Sequence, residues 1–179
     1  MLTIVTNVTT CLTKLLIWKR MKIATPNRVR CVLMREGRYL LAQPNSRRPE
    51  KIGKWGLPGG KLKKPEAPKA ALRRELVEEL RLEVPYLVEL GDWLFRGQTH
   101  RVFGCEIERA VGWFDTDEIL GIAWFSFDEV AALEEADQLH KGYEFGAVRA
   151  FRDRIELGYS PPRESTARNP AGRRSASAA

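Results

Sequence analysis

The stretch GKLKKPEAPKAALRRELVEELRL, residues 60–82, constrains the fold most, because it contains the clearest helix of the 179-residue chain. From Pro68 to about Leu80, leucines recur one helical turn apart and form a single apolar stripe. Proline suits the first position of a helix, although Ala67 before it offers no side-chain cap. The stripe predicts a helix that packs its leucines against the core.

Strand-like segments surround this helix. Two apolar runs on either side of Glu36-Gly37, within RVRCVLMREGRYLLAQ, predict a β-hairpin. WGLPGGKL offers a short strand that proline and glycines interrupt, and YLVELGDWLF, HRVFGCEIE and LGIAWFSF predict three further strands. Ser126 and Glu129 match a capping box that begins a second helix, and apolar residues at helical spacing predict a third helix across 144–157. Adjacent strands without an intervening helix favour an α/β fold with a mixed β-sheet flanked by helices.

The positive charge of the chain lies at its ends. The formal net charge is +7, of which residues 1–20 carry +3 and residues 161–179 carry +3, leaving +1 for the residues between them. The core is therefore not predicted to bind nucleic acid through its net charge. We predict an N-terminal extension (1–20), with Met21 as a candidate start, one domain (21–159) and a disordered basic tail (160–179).

The cysteines and the apolar stretches exclude several classes of protein. Cys11, Cys31 and Cys105 are odd in number and have no metal-ligand spacing, so neither a zinc site nor a disulfide framework is predicted. This usage is typical of a reducing compartment and favours a cytoplasmic protein. The longest apolar stretch near the N-terminus, LLIW, is too short to span a bilayer, so no membrane partner is expected. The sequence leaves a homodimer open.

Three glutamates, Glu75, Glu78 and Glu79, crowd the last turns of the predicted helix within an arc of roughly 100°. Like charges at this spacing repel, and the helix dipole disfavours anions there. Glu78 has Arg74 and Arg81 at helical spacing, whereas the i±3 and i±4 neighbours of the other two include no cation. A cation from outside the helix would relieve the repulsion, and Mg²⁺ prefers such oxygen ligands. A solvated acidic face is the alternative for the glutamates alone.

The spacing of the whole stretch is more specific than the glutamates. Gly60, five residues, Glu66, seven residues, Arg74-Glu75-Leu76, one residue, Glu78-Glu79 and then Leu82 resembles the Nudix box, G-x5-E-x7-R-E-U-x-E-E-x-G-U, in which U is a bulky aliphatic residue. One defined position departs, because Arg81 stands where the family has a glycine that permits a left-handed backbone. The box covers 23 residues. The order of hairpin, box, later strands and helix, between residues 22 and 157, is also similar to the Nudix α/β/α sandwich.

The resemblance implies hydrolysis of a nucleoside diphosphate linked to another group, with Mg²⁺ or Mn²⁺ as the cofactor. It assigns the metal ligands to Glu75, Glu78 and Glu79, with help from the Gly60 carbonyl. Arg74 would orient the carboxylates, and Glu66 would make a structural contact with Arg74. One box carboxylate, or one from a later loop, would serve as the general base.

Outside the box, Glu118 is the candidate for an additional metal ligand or base, with an ordinary turn acid as the alternative. A basic stretch is predicted to supply one or two phosphate-binding cations; it contains Arg47, Arg48, Lys51, Lys54, Lys61, Lys63 and Lys64. Four aromatic residues are assigned to the core rather than to base stacking: Trp55, Phe103, Trp113 and Phe114. Neither His100 nor His140 is predicted to be catalytic.

The expected partner is a nucleotide or another nucleoside diphosphate derivative. Some Nudix subfamilies carry a proline or a tyrosine marker downstream of the box, for ADP-ribose or diadenosine polyphosphates, but this region reads Gln98-Thr99-His100. A nucleoside triphosphate, in the manner of MutT, is therefore the first expectation, and a nucleotide sugar or ADP-ribose the second. The competing interpretation is a non-catalytic Nudix module that senses a nucleotide or associates with RNA, and the three intact glutamates speak against it.

Overall fold

Residues 25–159 are described by the computed structural model, so the predicted N-terminal extension, its candidate start at Met21 and the predicted tail lie outside the described residues. The elements follow in the order β1 (Arg28–Arg35), β2 (Arg38–Pro44), α1 (Pro68–Leu80), β3 (Val88–Phe95), β4 (Gln98–Glu106), β5 (Ile119–Phe125), α2 (Phe127–Glu135) and α3 (Glu144–Glu156). A short 3-10 helix, Pro49–Lys51, lies between β2 and α1.

The strands form one five-stranded mixed sheet in the order β3-β4-β1-β2-β5. β1 and β4 pair in parallel, and the other neighbouring strands pair antiparallel. The predicted hairpin turns at Glu36 and Gly37, whose φ angles of 51° and 72° suit a tight turn matched to the twist of the strands. The prediction of a mixed sheet is therefore confirmed.

Helices cover both faces of the sheet. The leucine stripe of α1 packs on one face, against Val29, Cys31 and Leu33 of β1. Val32 and Met34 belong to the second core, which α2 and α3 cover, because alternate residues of a strand point to opposite faces. β1 is thus buried from both sides, and the molecule is an α/β/α sandwich.

Local signals account for the helix boundaries. α1 begins at Pro68 without a side-chain cap from Ala67, as expected. α2 begins with the predicted capping box, in which the Glu129 N–H donates to Ser126 Oγ at 3.2 Å and the Ser126 N–H donates to Glu129 Oε2 at 2.6 Å. Across residues 25–159, each helix is too short or too polar to cross a membrane.

The segment 55–61 is a loop rather than the short strand that its sequence predicts. It makes only isolated β-bridges with the described residues around it. Its carbonyls accept hydrogen bonds from β1, at 3.0 Å from the Val29 N–H to Gly60 and at 3.0 Å from the Cys31 N–H to Pro58. Proline and glycine interrupt a regular ladder here. The loop consequently lies along β1 and meets the last turns of α1.

Candidate active site

The last turns of α1 place two carboxylates inside the protein and one outside. Glu75 and Glu79 are each 8% exposed, whereas Glu78 is exposed. A buried carboxylate is costly unless it is paired or hydrogen-bonded. A solvated acidic face therefore does not describe Glu75 and Glu79, and each must have partners.

Arg74 is the centre of an ion-pair cluster beside this turn. Its Nε and Nη2 each lie 3.0 Å from a carboxylate oxygen of Glu66. Its Nη1 lies 2.8 Å from Glu75 Oε1 and 2.8 Å from Glu78 Oε2. The hydrogen bonds to Glu66 and Glu75 raise the pKa of Arg74, and Arg74 lowers the pKa of Glu66. Glu75 thus has a cation from its own helix, at position i−1. Because Arg74 is not an i±3 or i±4 neighbour of Glu75, helical spacing in the sequence did not identify this ion pair.

Two glycines let the loop 55–61 approach the carboxylates. The Gly59 N–H donates to Glu79 Oε2 at 2.7 Å, and its φ of +116° favours glycine. A Cβ at Gly60 would overlap the Glu75 carboxylate. The Gly60 carbonyl uses one lone pair for the Val29 N–H, and a carbonyl oxygen has two. The backbone therefore contributes to the same site as the glutamates.

A cavity of about 380 Å³ lies beside these groups. Its acidic lining consists of Glu75, Glu79 and Glu118. Its basic lining consists of Arg28, Arg30, Lys51, Lys61 and Lys141. A larger cavity of about 980 Å³ near the C-terminal end of α1 is lined by none of the predicted site residues. The smaller cavity is therefore the candidate active site, because it brings the predicted site residues Glu75, Glu79 and Glu118 together with basic side chains.

Burial and mutual repulsion act on the acidic lining. Burial raises the pKa of Glu79, and the charges of Glu75 and Glu118 raise it further, against the opposing charge of Arg30. Burial also raises the pKa of Glu118, with added repulsion from Glu75 and Asp115. Arg30 supplies a cation from outside the helix, yet the pKa values remain raised. Additional positive charge in the cavity would stabilise the ionised carboxylates.

Contacts with two elements hold the loop 107–118, which carries Glu118. The Asp115 N–H donates to the Glu79 carbonyl at 2.9 Å and so joins the loop to α1. Asn45, which follows β2, donates its N–H to the Glu118 carbonyl at 2.7 Å and its side-chain amide to the Thr116 carbonyl at 3.2 Å. The fold therefore brings Glu118 to the cavity that holds Glu75 and Glu79.

Arg81 adopts the conformation that the family glycine would take. Its φ of 50° and ψ of 35° are left-handed, and its N–H donates to the carbonyls of Leu76 and Val77. This conformation costs a non-glycine residue roughly 1 kcal/mol. The Arg81 guanidinium lies 4.5 Å from the centroid of the Trp113 ring, and an exposed cation–π contact contributes about 0.5–1 kcal/mol. The contact offsets much of the backbone strain.

Few members of the basic stretch that the sequence singles out reach the cavity. Lys51 and Lys61 line it, whereas Lys54 pairs with Asp137 at 2.9 Å. Arg47 is exposed and does not belong to the lining. The stretch therefore contributes Lys51 and Lys61 to the cavity, and their role in phosphate binding stays a prediction.

Sequence patterns did not identify the rest of the basic lining. Arg28 and Arg30 alternate along β1, and an Arg-x-Arg pair in an otherwise apolar strand was the available signal. Arg30 Nε is buried and has no hydrogen-bond partner among the described residues. Lys141 comes from the segment before α3, and burial lowers its pKa. Its Nζ lies 2.9 Å from His140 Nδ1.

Within residues 25–159, the two histidines form hydrogen bonds with a tyrosine and a lysine rather than with a serine or cysteine nucleophile. His100 is 2% exposed, and its Nδ1 lies 2.6 Å from the Tyr143 hydroxyl oxygen. Burial lowers the pKa of His100 and that of His140 to about 3. Both imidazoles are consequently neutral at physiological pH, and they belong to the packing around the basic lining.

The aromatic assignments hold for three residues of four. Phe103 is 1% exposed in the core, and Phe114 packs partly buried against it. Trp55 packs edge-on against Phe125, with ring centroids 5.0 Å apart. Trp113 is 42% exposed, so its assignment to the core is wrong. Its ring packs under the Arg81 guanidinium at the surface instead.

A family model for the NUDIX domain matches residues 24–144 of this chain. Two Mycobacterium tuberculosis proteins, from strains CDC 1551 / Oshkosh and ATCC 25618 / H37Rv, are each 50% identical to it over 56 residues, which is 31% of this chain and 39% of theirs. Both are provisionally named 8-oxo-dGTP diphosphatase 2. The chain thus matches 39% of the length of these curated relatives.

Solved structures agree with the family model. The crystal structure of a MutT NUDIX hydrolase from Burkholderia pseudomallei has 28% identity and a TM-score of 0.51, over 59% of this chain and 86% of that one. A NUDIX hydrolase from Nitrosomonas europaea has 25% identity and a TM-score of 0.56, over 72% of this chain and 90% of that one. The similarity therefore covers nearly the whole of each solved protein.

Proposed function

This chain belongs to the NUDIX domain family, and on that premise we propose that it hydrolyses a phosphoanhydride bond in a nucleoside triphosphate or another nucleoside diphosphate derivative. One observation carries the proposal: the same cavity has an acidic lining and a basic lining. A pyrophosphate is densely negative, so the basic lining attracts it, while the acidic lining can face it only with cations between them. This arrangement suits a divalent ion shared by carboxylates and phosphates.

Mg²⁺, or Mn²⁺ in its place, fits the oxygen donors of the acidic lining. Glu75, Glu78 and Glu79 would hold the ion, together with the Gly60 carbonyl. Within residues 25–159, no three His, Cys, Asp or Glu side chains already converge as a metal site. Arg74 engages one oxygen of Glu75 and one of Glu78. The second oxygen of Glu75 can face the ion, and that of Glu78 lies 4.0 Å from Lys63 Nζ, a weak pair that an ion would replace. The raised pKa of Glu79 also favours a nearby cation.

Different residues of the site would have different roles in hydrolysis. A bound metal ion would neutralise phosphate charge and lower the pKa of water. Arg74 would keep Glu75 and Glu78 oriented through its guanidinium contacts. Glu118 would accept a proton from the attacking water as general base, with a box glutamate as the alternative. Arg30 and Lys51 would hold phosphate oxygens through charge-assisted hydrogen bonds.

A nucleoside triphosphate is our first choice of substrate because the basic lining is extensive. Five basic residues line a cavity of about 380 Å³ beside three carboxylates, and a divalent ion on the carboxylates would leave the basic residues to hold the phosphates. The names of the Mycobacterium tuberculosis relatives point to the same class, since 8-oxo-dGTP is a triphosphate. Nucleotide sugars and ADP-ribose are the second choice. No Phe, Tyr or Trp within the described chain lines this cavity, so the base preference stays open.

A product-release screen with Mg²⁺ tests the proposal. It compares nucleoside triphosphates, nucleotide sugars, ADP-ribose and dinucleotides as substrates for the wild-type protein and for Glu79→Gln. We expect the wild type to hydrolyse at least one class and Glu79→Gln to lose activity by a factor on the order of 10² or more. EDTA should abolish turnover.

The matched control is Glu83→Gln, because Glu83 is exposed and lies outside the site cavity. It should hydrolyse the substrate at the wild-type rate. Equal turnover by the wild type and Glu79→Gln would refute the metal role of Glu79. Tight nucleotide binding without any turnover would instead identify a non-catalytic module.

A further inference from the structure

Arg81 and Trp113 connect the C-terminal end of α1 to the loop that carries Glu118. The Arg81 guanidinium lies 4.5 Å from the centroid of the Trp113 ring. Arg81 is held in a left-handed conformation, and Trp113 leaves 42% of its surface exposed. Neither residue belongs to the described core clusters or lines the site cavity. Burial of apolar surface in the core therefore does not account for this contact.

A short chain of contacts leads from this pair to the acidic lining. Asp115, two residues after Trp113, donates its N–H to the Glu79 carbonyl at 2.9 Å. Asp115 also accepts from the Asp117 N–H at 2.9 Å and from the Glu118 N–H at 3.3 Å, so the turn that ends at Glu118 is built on Asp115. A displacement of Trp113 would therefore move Glu118 relative to Glu79.

We propose that the contact between Arg81 and Trp113 keeps the loop 107–118 against α1, so that Glu118 stays in the cavity with Glu75 and Glu79. Arg81 and Trp113 are positioning residues, and Glu118 is the group that they position. This inference rests on the proposed function for its kinetic consequence. It explains the departure from the box, because a glycine would end α1 equally well but could not reach the loop.

Hydrogen exchange of the metal-free protein tests the positioning directly. Arg81→Gly and Trp113→Leu should each speed exchange of the Asp115 and Glu118 amides by about tenfold or more, since local opening becomes easier. Arg81→Gly should not lower the Tm, because glycine relieves the left-handed strain. The matched control is Arg96→Gly, which removes an arginine with a φ of 49° from the β3–β4 turn, together with its contact over the Phe95 ring, and should leave loop exchange unchanged. Unchanged loop exchange in both test variants would overturn the inference.

Steady-state hydrolysis of dGTP with Mg²⁺ supplies the second readout. Both variants should lower kcat by about tenfold while KM changes less than about twofold, because the substrate-binding cations are untouched. Trp113→Phe keeps a ring face and should restore most of kcat. The double variant should lose no more than the worse single variant, because both changes remove one contact.

Hydrogen exchange and steady-state hydrolysis together distinguish failure of the inference from failure of the proposed function. A wild-type protein that does not hydrolyse dGTP counts against the proposed triphosphate activity, and the exchange result still supports or overturns the positioning contact. Losses that multiply in the double variant would show that Arg81 and Trp113 act independently and would overturn the inference. A Trp113→Phe variant as impaired as Trp113→Leu would overturn it as well.

Discussion

The acidic and basic linings of the cavity are assembled in different ways. Glu75 and Glu79 come from one turn of α1, and Arg74 beside them fixes one of the two. The basic residues come from β1, the 3-10 helix, the end of loop 55–61 and the segment before α3. Two of the three carboxylates are thus a local pattern of sequence, whereas Glu118 and the cations become their neighbours only after folding. We therefore expect the acidic lining to govern the hydrolytic step and the basic lining to govern substrate affinity.

The variant Gly60→Ala is expected to have the largest effect, because it disturbs the acidic lining without removing a carboxylate. The new Cβ would overlap the Glu75 carboxylate, which Arg74 holds from its other oxygen. We expect kcat to fall by a factor on the order of 10², with little change in KM. Steady-state hydrolysis measures both constants.

Gly121→Ala is the matched control, since a Cβ added to Gly121 on β5 would meet no other atom within 4 Å. It should keep the wild-type kcat. If Gly60→Ala also kept the wild-type kcat, the position of the Glu75 carboxylate would be irrelevant to hydrolysis, and the acidic lining would lose its assigned role.

The variant Arg30→Gln tests the basic lining and should have a smaller effect. Arg30 lines the cavity, and its Nε has no hydrogen-bond partner among the described residues. Removal of one phosphate-binding charge should raise KM by about tenfold and change kcat little. The control is Arg38→Gln, which removes an exposed arginine of β2 that pairs with Glu129 of α2. It should leave both constants unchanged. A fall in kcat as large as the rise in KM would break the proposed division between the linings.

Acidification should separate Glu79 of the acidic lining from His140, which packs beside the basic lining, by their effects on stability, and this is the smallest expected change. Burial raises the pKa of Glu79 above 4.5, so protonation of Glu79 adds stability as the pH falls through that raised value. Burial lowers the pKa of His140 from 6.5 to about 3, so the unfolded chain binds protons first and stability falls below pH 6.5. The contributions of Glu79 and His140 therefore have opposite signs.

Thermal unfolding of the metal-free protein between pH 7 and pH 4 measures these contributions, since this range includes the ordinary glutamate pKa of 4.5 and everything above it up to neutral pH. We expect His140→Gln to reduce the acid-induced drop in Tm by about 2–4 °C and Glu79→Gln to enlarge it. Identical pH profiles for the wild type and His140→Gln would show that His140 is not held neutral by the fold.

Local signals predict most of the secondary structure and the carboxylates of the site. α1 begins and ends at the expected residues because Pro68 and the leucine stripe act within the helix itself. The parallel pairing of β1 with β4 joins distant segments, and no local pattern encodes it. The contact of Arg74 with Glu75 follows from the rotamer of a long side chain at an adjacent position rather than from helical spacing.

Residues whose surroundings come from elsewhere in the chain escape such prediction. Trp113 is aromatic and lies between strands, which favours a core position, yet the loop places it on the surface under Arg81. From the sequence alone, Arg30 is one polar residue in an apolar strand. In the folded protein, the loop 55–61 and the segment before α3 enclose a cavity that Arg30 lines. Tertiary enclosure, rather than residue type, decides both cases.

The scattered origin of the basic lining has an evolutionary consequence. Arg30, Lys51, Lys61 and Lys141 lie on four segments that can each mutate without altering the turn of α1. Drift in any one of them could exchange a cation for a neutral or apolar side chain and so admit a different ligand, while the glutamate turn is inherited intact. A molecule built in this way can diversify its choice of substrate in single steps.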